Sequence, residues 1–303
     1  MGFRPCIDFF RKNKKILLTQ RGQKKLQNIK ITGTKIPFFF KLNLTLPEEK
    51  EEYTEMNIPI NPQAEITPYQ IWSQVFNFPF VPKRNPKKQE KYRTIEEKIK
   101  NYLEKNLNKS WINYPLEKYD IFEGNDIFGG VPDGEERDNK GNPISILEIK
   151  TITDIKNQTK INKFSVPPLN YQLQLALYLY LKGIDTGYIC ICYMNPENWE
   201  DLDTLKLKTT LTKYTNQPKT FTGNITSWID SIGECPYEYQ LLEAYCNDFL
   251  NENEIILFKI KIDMEKYKAI LEKLCKWFTE NRTQSPTLMD KELKNILNNN
   301  KNW

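Results

Sequence analysis

The chain has 303 residues, 39% hydrophobic and 27% charged, with a net charge of +5. These proportions suit a soluble globular protein long enough to bury a real core, and the mild positive charge permits contact with a polyanion without demanding it. No histidine is present, which excludes Ser-His-Asp and Cys-His nucleophile pairs, HExxH zinc sites and every histidine-based hydrolytic motif.

Residues 1–30 are basic and mixed. The stretch Arg11–Lys15 has no apolar h-region or cleavage site behind it, and no apolar run approaches membrane length, so a cytoplasmic chain without membrane association is expected. Residues 31–44 read as a turn with a short helix or strand, and 47–66 as an acidic, proline-punctuated loop. Pro68 to Phe76 reads as a helix with Thr67 as N-cap and proline in its first turn. Residues 79–91 read as an exposed linker rich in proline and lysine. A helix over 94–107 follows from Ile95, Ile99, Tyr102 and Leu103 on one face. Strands are expected at 111–122, 127–136 and 144–152, and an apolar helix at 169–182, stopped by Gly183. The run 187–194 reads as a buried central strand. Residues 197–253 read as an insertion with a hairpin-like piece and a helix, 254–263 as a strand and 264–281 as an amphipathic helix. The end, 283–303, is expected to fray. This order gives an α/β core around a mixed sheet.

Six cysteines occur without a CxxC; buried free thiols are expected, and the wide late spacing argues against an iron–sulfur cluster. Lysine far outnumbers arginine, so basic residues between Pro82 and Arg93 read as a solvated loop before a DNA track. Trp72, Phe76, Phe78 and Phe80 read as core before base-stacking groups.

The stretch GGVPDGEERDNKGNPISILEIKTI, 129–152, carries the chemistry. Asn139 to Asn142 make a two-residue hairpin turn with Gly141 free to take a positive φ. A register centred on Lys140 and Gly141 makes Asp133 and Glu148 cross-strand partners, with Cβ atoms about 5 Å apart. Two carboxylates so close repel unless they share a proton or a cation. Glu148 and Lys150 share one strand face; Leu147 and Ile149 take the other. A magnesium site meets these needs: Asp133 and Glu148 offer carboxylate oxygens, the backbone carbonyl of Ile149 a third ligand, and Lys150 orients the attacking water.

At these residues the sequence resembles the PD-(D/E)XK nuclease superfamily, and within it the YqaJ-type viral recombinase branch that includes the lambda exonuclease. NYQLQLALYLYLKGIDTGYICICYMNP, 170–196, resembles that branch's glutamine helix and following strand, with Gln172 at the position of the site glutamine. TIEEKIKNYLEK, 94–105, resembles the helix that offers an acidic residue to the metal: Glu96, with Glu97 as the alternative. IKITGTKIPFFFKLN, 29–43, and TPYQIWSQV, 67–75, resemble the Ile-Thr-x-Ser element and the Thr-Pro helix, giving Thr32 and Thr34 as phosphate-binding hydroxyls. The family's arginine for a terminal 5′-phosphate corresponds to Gln27; Lys24, Lys25 or Lys30 stands near enough to replace it, without the bidentate fork.

The resemblance implies a restriction-endonuclease-like core with a mixed central sheet flanked by helices. It implies one nuclease domain over 1–303, with 1–92 contacting a DNA end or phosphate and 93–196 plus 254–281 as catalytic core. It further implies Mg²⁺-dependent hydrolysis of DNA (Mn²⁺ able to substitute), exonuclease action in recombination or a phage, a ring-shaped homotrimer and a single-strand annealing protein as partner. A site-specific or defence-type endonuclease on the same fold and a catalytically dead DNA-binding relative are the competing readings.

Overall fold

The computed structural model describes residues 3–4, 7–43, 66–79, 86–115, 120–152, 167–194, 207, 210–213, 219–247, 254–292 and 294. Strands are β1 (Phe9–Lys12), β2 (Lys15–Leu18), β3 (Ile31–Thr32), β4 (Phe40–Asn43), β5 (Phe128–Gly129), β6 (Gly134–Arg137), β7 (Pro143–Ile152), β8 (Thr186–Tyr193), β9 (Thr212–Lys213), β10 (Lys219–Ser227), β11 (Glu234–Cys246) and β12 (Glu254–Ile262). Helices are α1 (Gln20–Leu26), α2 (Pro68–Phe76), α3 (Pro86–Leu107), α4 (Leu169–Lys182) and α5 (Met264–Asn281), with a 3-10 turn at Ile36–Phe39.

An eight-stranded mixed sheet runs β4-β10-β11-β12-β8-β7-β6, with β9 paired to β11. Its one parallel pair, β7 with β8, is joined through α4, the usual solution for parallel neighbours. Alternation along β8 divides its side chains between the two layers. Tyr188, Cys190 and Cys192 meet Ile95, Ile99 and Leu103 of α3. Ile189, Ile191 and Tyr193 join the larger core with α2, α4 and α5. The expected mixed α/β architecture is therefore present.

Local signals set several boundaries. Thr67 caps α2 in a full capping box with Gln70. Gly183 ends α4 in the left-handed conformation, φ +69, where a side chain is disfavoured. Asp263 caps α5. Trp72, Phe76 and Phe78 lie in the core; Phe80 lies outside the described residues. Cys190, Cys192, Cys235 and Cys246 are buried free thiols and Cys275 is half-buried, while Cys6 lies outside the described residues.

Several expectations need correction. The strand at 111–122 reduces to one bridge, Ile112 with Glu135; Pro115 cannot donate to a ladder, and 116–119 lie outside the described residues. The strand at 127–136 is broken into β5 and β6, because Gly130 takes φ +134 and Pro132 follows it. Residues 86–91 of the expected linker are the first turns of α3, while 81–85 lie outside the described residues.

Residues 197–253 contribute β9, β10 and β11 to the main sheet. No helix occurs among their described residues: Cys235, Tyr237, Tyr239 and Leu241 alternate buried with exposed or half-buried neighbours, a period of two that only a strand satisfies. β10 pairs on its other side with β4, so this segment and the N-terminal part share one sheet with the core.

The described part of the end, up to Glu292, is tied down. Ser285 and Leu288 donate backbone N–H groups to the carbonyls of Ile16 and Lys14, and Glu292 accepts from the Thr67 hydroxyl. Residues 295–303 lie outside the described residues.

Candidate active site

The hairpin β6–β7 brings the expected residues together by a different turn. Asp138 and Asn142 bracket a three-residue loop, with Asp138 N–H donating to the Asn142 carbonyl and Gly141 N–H to that of Asp138. Gly141 takes φ +85, the left-handed conformation such a loop requires. Arg137 pairs with Pro143, but Glu136 pairs with Ser145, so Ile144 is an extra, exposed residue. This bulge restores the register from Glu136 onward, and Gly134 faces Leu147. Asp133 thereby reaches the middle of β7, where its Oδ2 accepts from the Ile149 N–H at 2.7 Å.

Glu148 is wholly buried. Its Oε2 accepts from Lys150 Nζ and from Gln174 Nε2, both at 2.8 Å. Its Oε1 is buried with no hydrogen-bond partner. The Asp133 carboxyl is close enough to Glu148 to act on it electrostatically, and Lys150 Nζ lies 5.7 Å above the Tyr171 ring. Leu147 and Ile149 point to the opposite layer, against α3.

Burial is the main force on these ionisable groups. It pushes Glu148 up to about 8, with Asp133 adding repulsion and Lys150 opposing both. It raises Asp133 as well, against the pull of Lys150 and the Ile149 N–H. Glu96 on α3 is half-buried and pushed up to about 8, by burial and then by Asp133. Burial works against the charge on Lys150, yet Glu148 and Asp133 hold its ammonium above the usual range. Glu97 is exposed.

Three carboxylates around one lysine leave excess negative charge in a site that disfavours it. Among the described residues no group of three or more Asp, Glu or Cys stands close enough to enclose a metal alone. Mg²⁺ needs no such cage: it binds through one or two carboxylates and keeps several waters. The unpartnered Glu148 Oε1 and the adjacent Asp133 fit that requirement, with the Ile149 carbonyl on the same stretch of β7.

The two glutamines of α4 have different partners. Gln172 donates to the Pro167 carbonyl at 2.5 Å, behind the N-terminus of α4, and its Oε1 is buried without a partner. Gln174 reaches Glu148 instead. Residues two apart on a helix lie about 200° apart around its axis, so only one of the pair can face β7. Tyr178, one turn further along α4, is buried on the same helix face as Gln174. The spacing Gln-x-x-x-Tyr on one helix face was the available signal for this pair.

The N-terminal element docks beside these groups. β3 pairs in parallel with β5, which puts Gly33 against Gln174 and Tyr178: a Cβ there would meet Gln174 Cγ at 2.6 Å. Thr32 and Thr34 share a hydroxyl–hydroxyl hydrogen bond of 3.1 Å at the surface. The Lys30 ammonium pairs with Asp120 and donates to the Phe122 carbonyl. Asp120 is itself held ionised by Lys30 and by N–H donors from Gly130 and Phe122, which outweigh its burial. The carbonyl of Gln27 accepts from the Arg282 guanidinium.

No family model matches the chain. An uncharacterized protein of Mycoplasma genitalium, MG373, is 29% identical over 143 residues, covering 35% of this chain and 50% of that protein. Its Mycoplasma pneumoniae homolog is 30% identical over 143 residues with the same coverage. The chain thus spans about half the length of the curated relatives it matches. Among solved structures, a phage-related exonuclease from Haemophilus somnus 129PT aligns at 12% identity and a TM-score of 0.41, over 84% of this chain and 94% of that one. An alkaline exonuclease from Laribacter hongkongensis aligns at 11% identity and a TM-score of 0.36, over 85% of this chain and 91% of that one.

Proposed function

We propose that this protein is a divalent-metal-dependent deoxyribonuclease of the PD-(D/E)XK type, with a restriction-endonuclease-like core. The observation that carries this reading is the buried Glu148 carboxylate, with one oxygen held by Lys150 and Gln174 and the other unpartnered beside Asp133.

Asp133, Glu148 and the Ile149 carbonyl would hold Mg²⁺, or Mn²⁺ in its place, with Glu96 at the margin. When bound, the ion supplies Lewis acidity toward a phosphodiester oxygen and eases loss of a proton from water. Lys150 keeps a positive charge at the site, where it orients water and offsets charge building on the phosphoryl group. Gln174 holds the Glu148 carboxylate in one orientation. Thr32 and Thr34 offer hydroxyls to a neighbouring phosphate.

The favoured biological form is an exonuclease of recombination or phage type, acting as a trimer beside a single-strand annealing protein. Two observations favour a second reading, an endonuclease that ignores DNA ends. Position 27 carries no guanidinium, and Lys30 is engaged by Asp120. Digestion of linear against closed-circular duplex DNA, in Mg²⁺ and in EDTA, beside Glu148→Ala, separates the readings. Mg²⁺-dependent loss of the linear form alone supports the exonuclease; loss of both forms supports the endonuclease. Binding without cleavage of either form removes the enzyme reading.

A further inference from the structure

The N-terminal hairpin stands outside the main sheet as a two-stranded unit, β1 with β2. Its turn is Asn13-Lys14, with φ values of +52 and +57, the tight geometry that matches strand twist. Its register sets Phe10 opposite Leu17 and Lys12 opposite Lys15. One face is closed: Phe9, Ile16 and Leu18 are buried.

The other face carries Phe10, Lys12, Lys15 and Leu17, in strict alternation. Phe10 is 47% exposed, and Lys12 and Arg11 are exposed at the end of β1. Two lysines directly opposite repel each other, so this pairing disfavours the free hairpin. Lys14, Lys25, Lys30, Lys109, Lys182, Lys213 and Lys266 each pair with a carboxylate. Arg11, Lys12 and Lys15 have no acidic partner among the described residues.

The hairpin is also braced. Ile16 N–H donates to Ser285 Oγ at 2.9 Å, Leu18 N–H to the Thr283 carbonyl and Leu288 N–H to the Lys14 carbonyl. The turn and β2 are thus fixed, with β1 held to them by the ladder, and a ligand meets a preformed surface with little ordering left to do.

We infer that the face bearing Phe10, Lys12 and Lys15 binds single-stranded DNA, with the lysines on successive phosphates and the Phe10 ring against a base. Cations beside an exposed ring match the demands of an unpaired strand, whose bases present their π-faces. A blunt duplex would engage the lysines and leave the ring unused. The inference rests on the nuclease reading for its biological sense, but its test does not need cleavage.

The test measures binding of a fluorescent (dT)20 oligonucleotide to the whole protein in EDTA, across a salt series. For Lys12→Glu/Lys15→Glu the slope of log K against log salt should become shallower by about 1.4, from about 0.7 per lost phosphate contact. Lys12→Arg/Lys15→Arg should keep the wild-type slope. Phe10→Ala should weaken (dT)20 about fivefold to a hundredfold with the slope unchanged, and should leave a blunt duplex unaffected. An unchanged slope in the charge-reversed protein overturns the surface, and equal losses on both DNAs in Phe10→Ala overturn the single-strand assignment. Hairpin-dependent binding by a wild type that never cuts supports the surface while removing the nuclease reading.

Discussion

Gln174 donates its side-chain amide to Glu148 at 2.8 Å, while Gln172, two residues earlier on the same helix, is bonded to the Pro167 carbonyl. The two glutamines therefore have separable consequences. Gln174→Ala should lower cleavage by about ten- to a hundredfold, the usual effect of removing a group that orients a metal-binding carboxylate. Gln172→Ala should cost about 1–3 kcal/mol of stability, because it removes a buried hydrogen bond, and should spare cleavage per folded molecule. Thermal unfolding beside initial rates distinguishes them; the reverse pattern would restore Gln172 to the site.

Glu148→Gln should abolish cleavage and leave the metal-free protein as stable as wild type or more so. It replaces a carboxyl whose charged form burial and Asp133 both disfavour with a neutral group of the same shape. Mg²⁺ at about a hundred times its dissociation constant should stabilise the wild type by about 2.7 kcal/mol and the variant far less. Equal Mg²⁺-induced shifts in the two melting curves would place the ion elsewhere.

The raised carboxyl of Glu148 also fixes the sign of a pH effect. Its value rises from the ordinary 4.5 to about 8 on folding, so between those limits the folded state binds more protons than the unfolded one. Stability of the metal-free protein should then fall as pH rises from about 5 to about 8, in contrast to an ordinary ion-paired carboxylate. Glu96 acts in the same direction. Denaturant melts across this window should show the decline in EDTA and a weaker one in Glu148→Gln. Stability that rises steadily across the window in EDTA would contradict the burial of these groups.

Two glycines should behave differently on replacement by alanine. At Gly33 the new methyl would meet Gln174 Cγ at 2.6 Å, so Gly33→Ala should cost about 1–3 kcal/mol and depress cleavage by moving the amide that holds Glu148. At Gly141 nothing lies within 4 Å, but φ is +85, so Gly141→Ala should cost about 1–2 kcal/mol of backbone strain and leave cleavage intact. Rates measured well below each melting temperature test the contrast. A fully active Gly33→Ala protein would show that the contact between β3 and α4 is without effect on the site.

The alternation Glu148-x-Lys150 and the turn glycine at 141 determined from sequence alone that Asp133 and Glu148 converge. Both depend on local backbone geometry, and the bulge at Ile144 changed the turn without changing that outcome. The stop at Gly183, the cap at Thr67 and the unbroken apolar run of β8 were legible for the same reason. The tertiary structure alone decided which glutamine faces β7, because the rotation of α4 about its axis is set by packing on the sheet. It also left Glu96 half-buried and Glu97 exposed, and paired Lys30 with Asp120, ninety residues away. It decided too that β10 and β11 extend the sheet to β4. These outcomes depend on partners distant along the chain, and local propensity carries no record of which partner a side chain will meet.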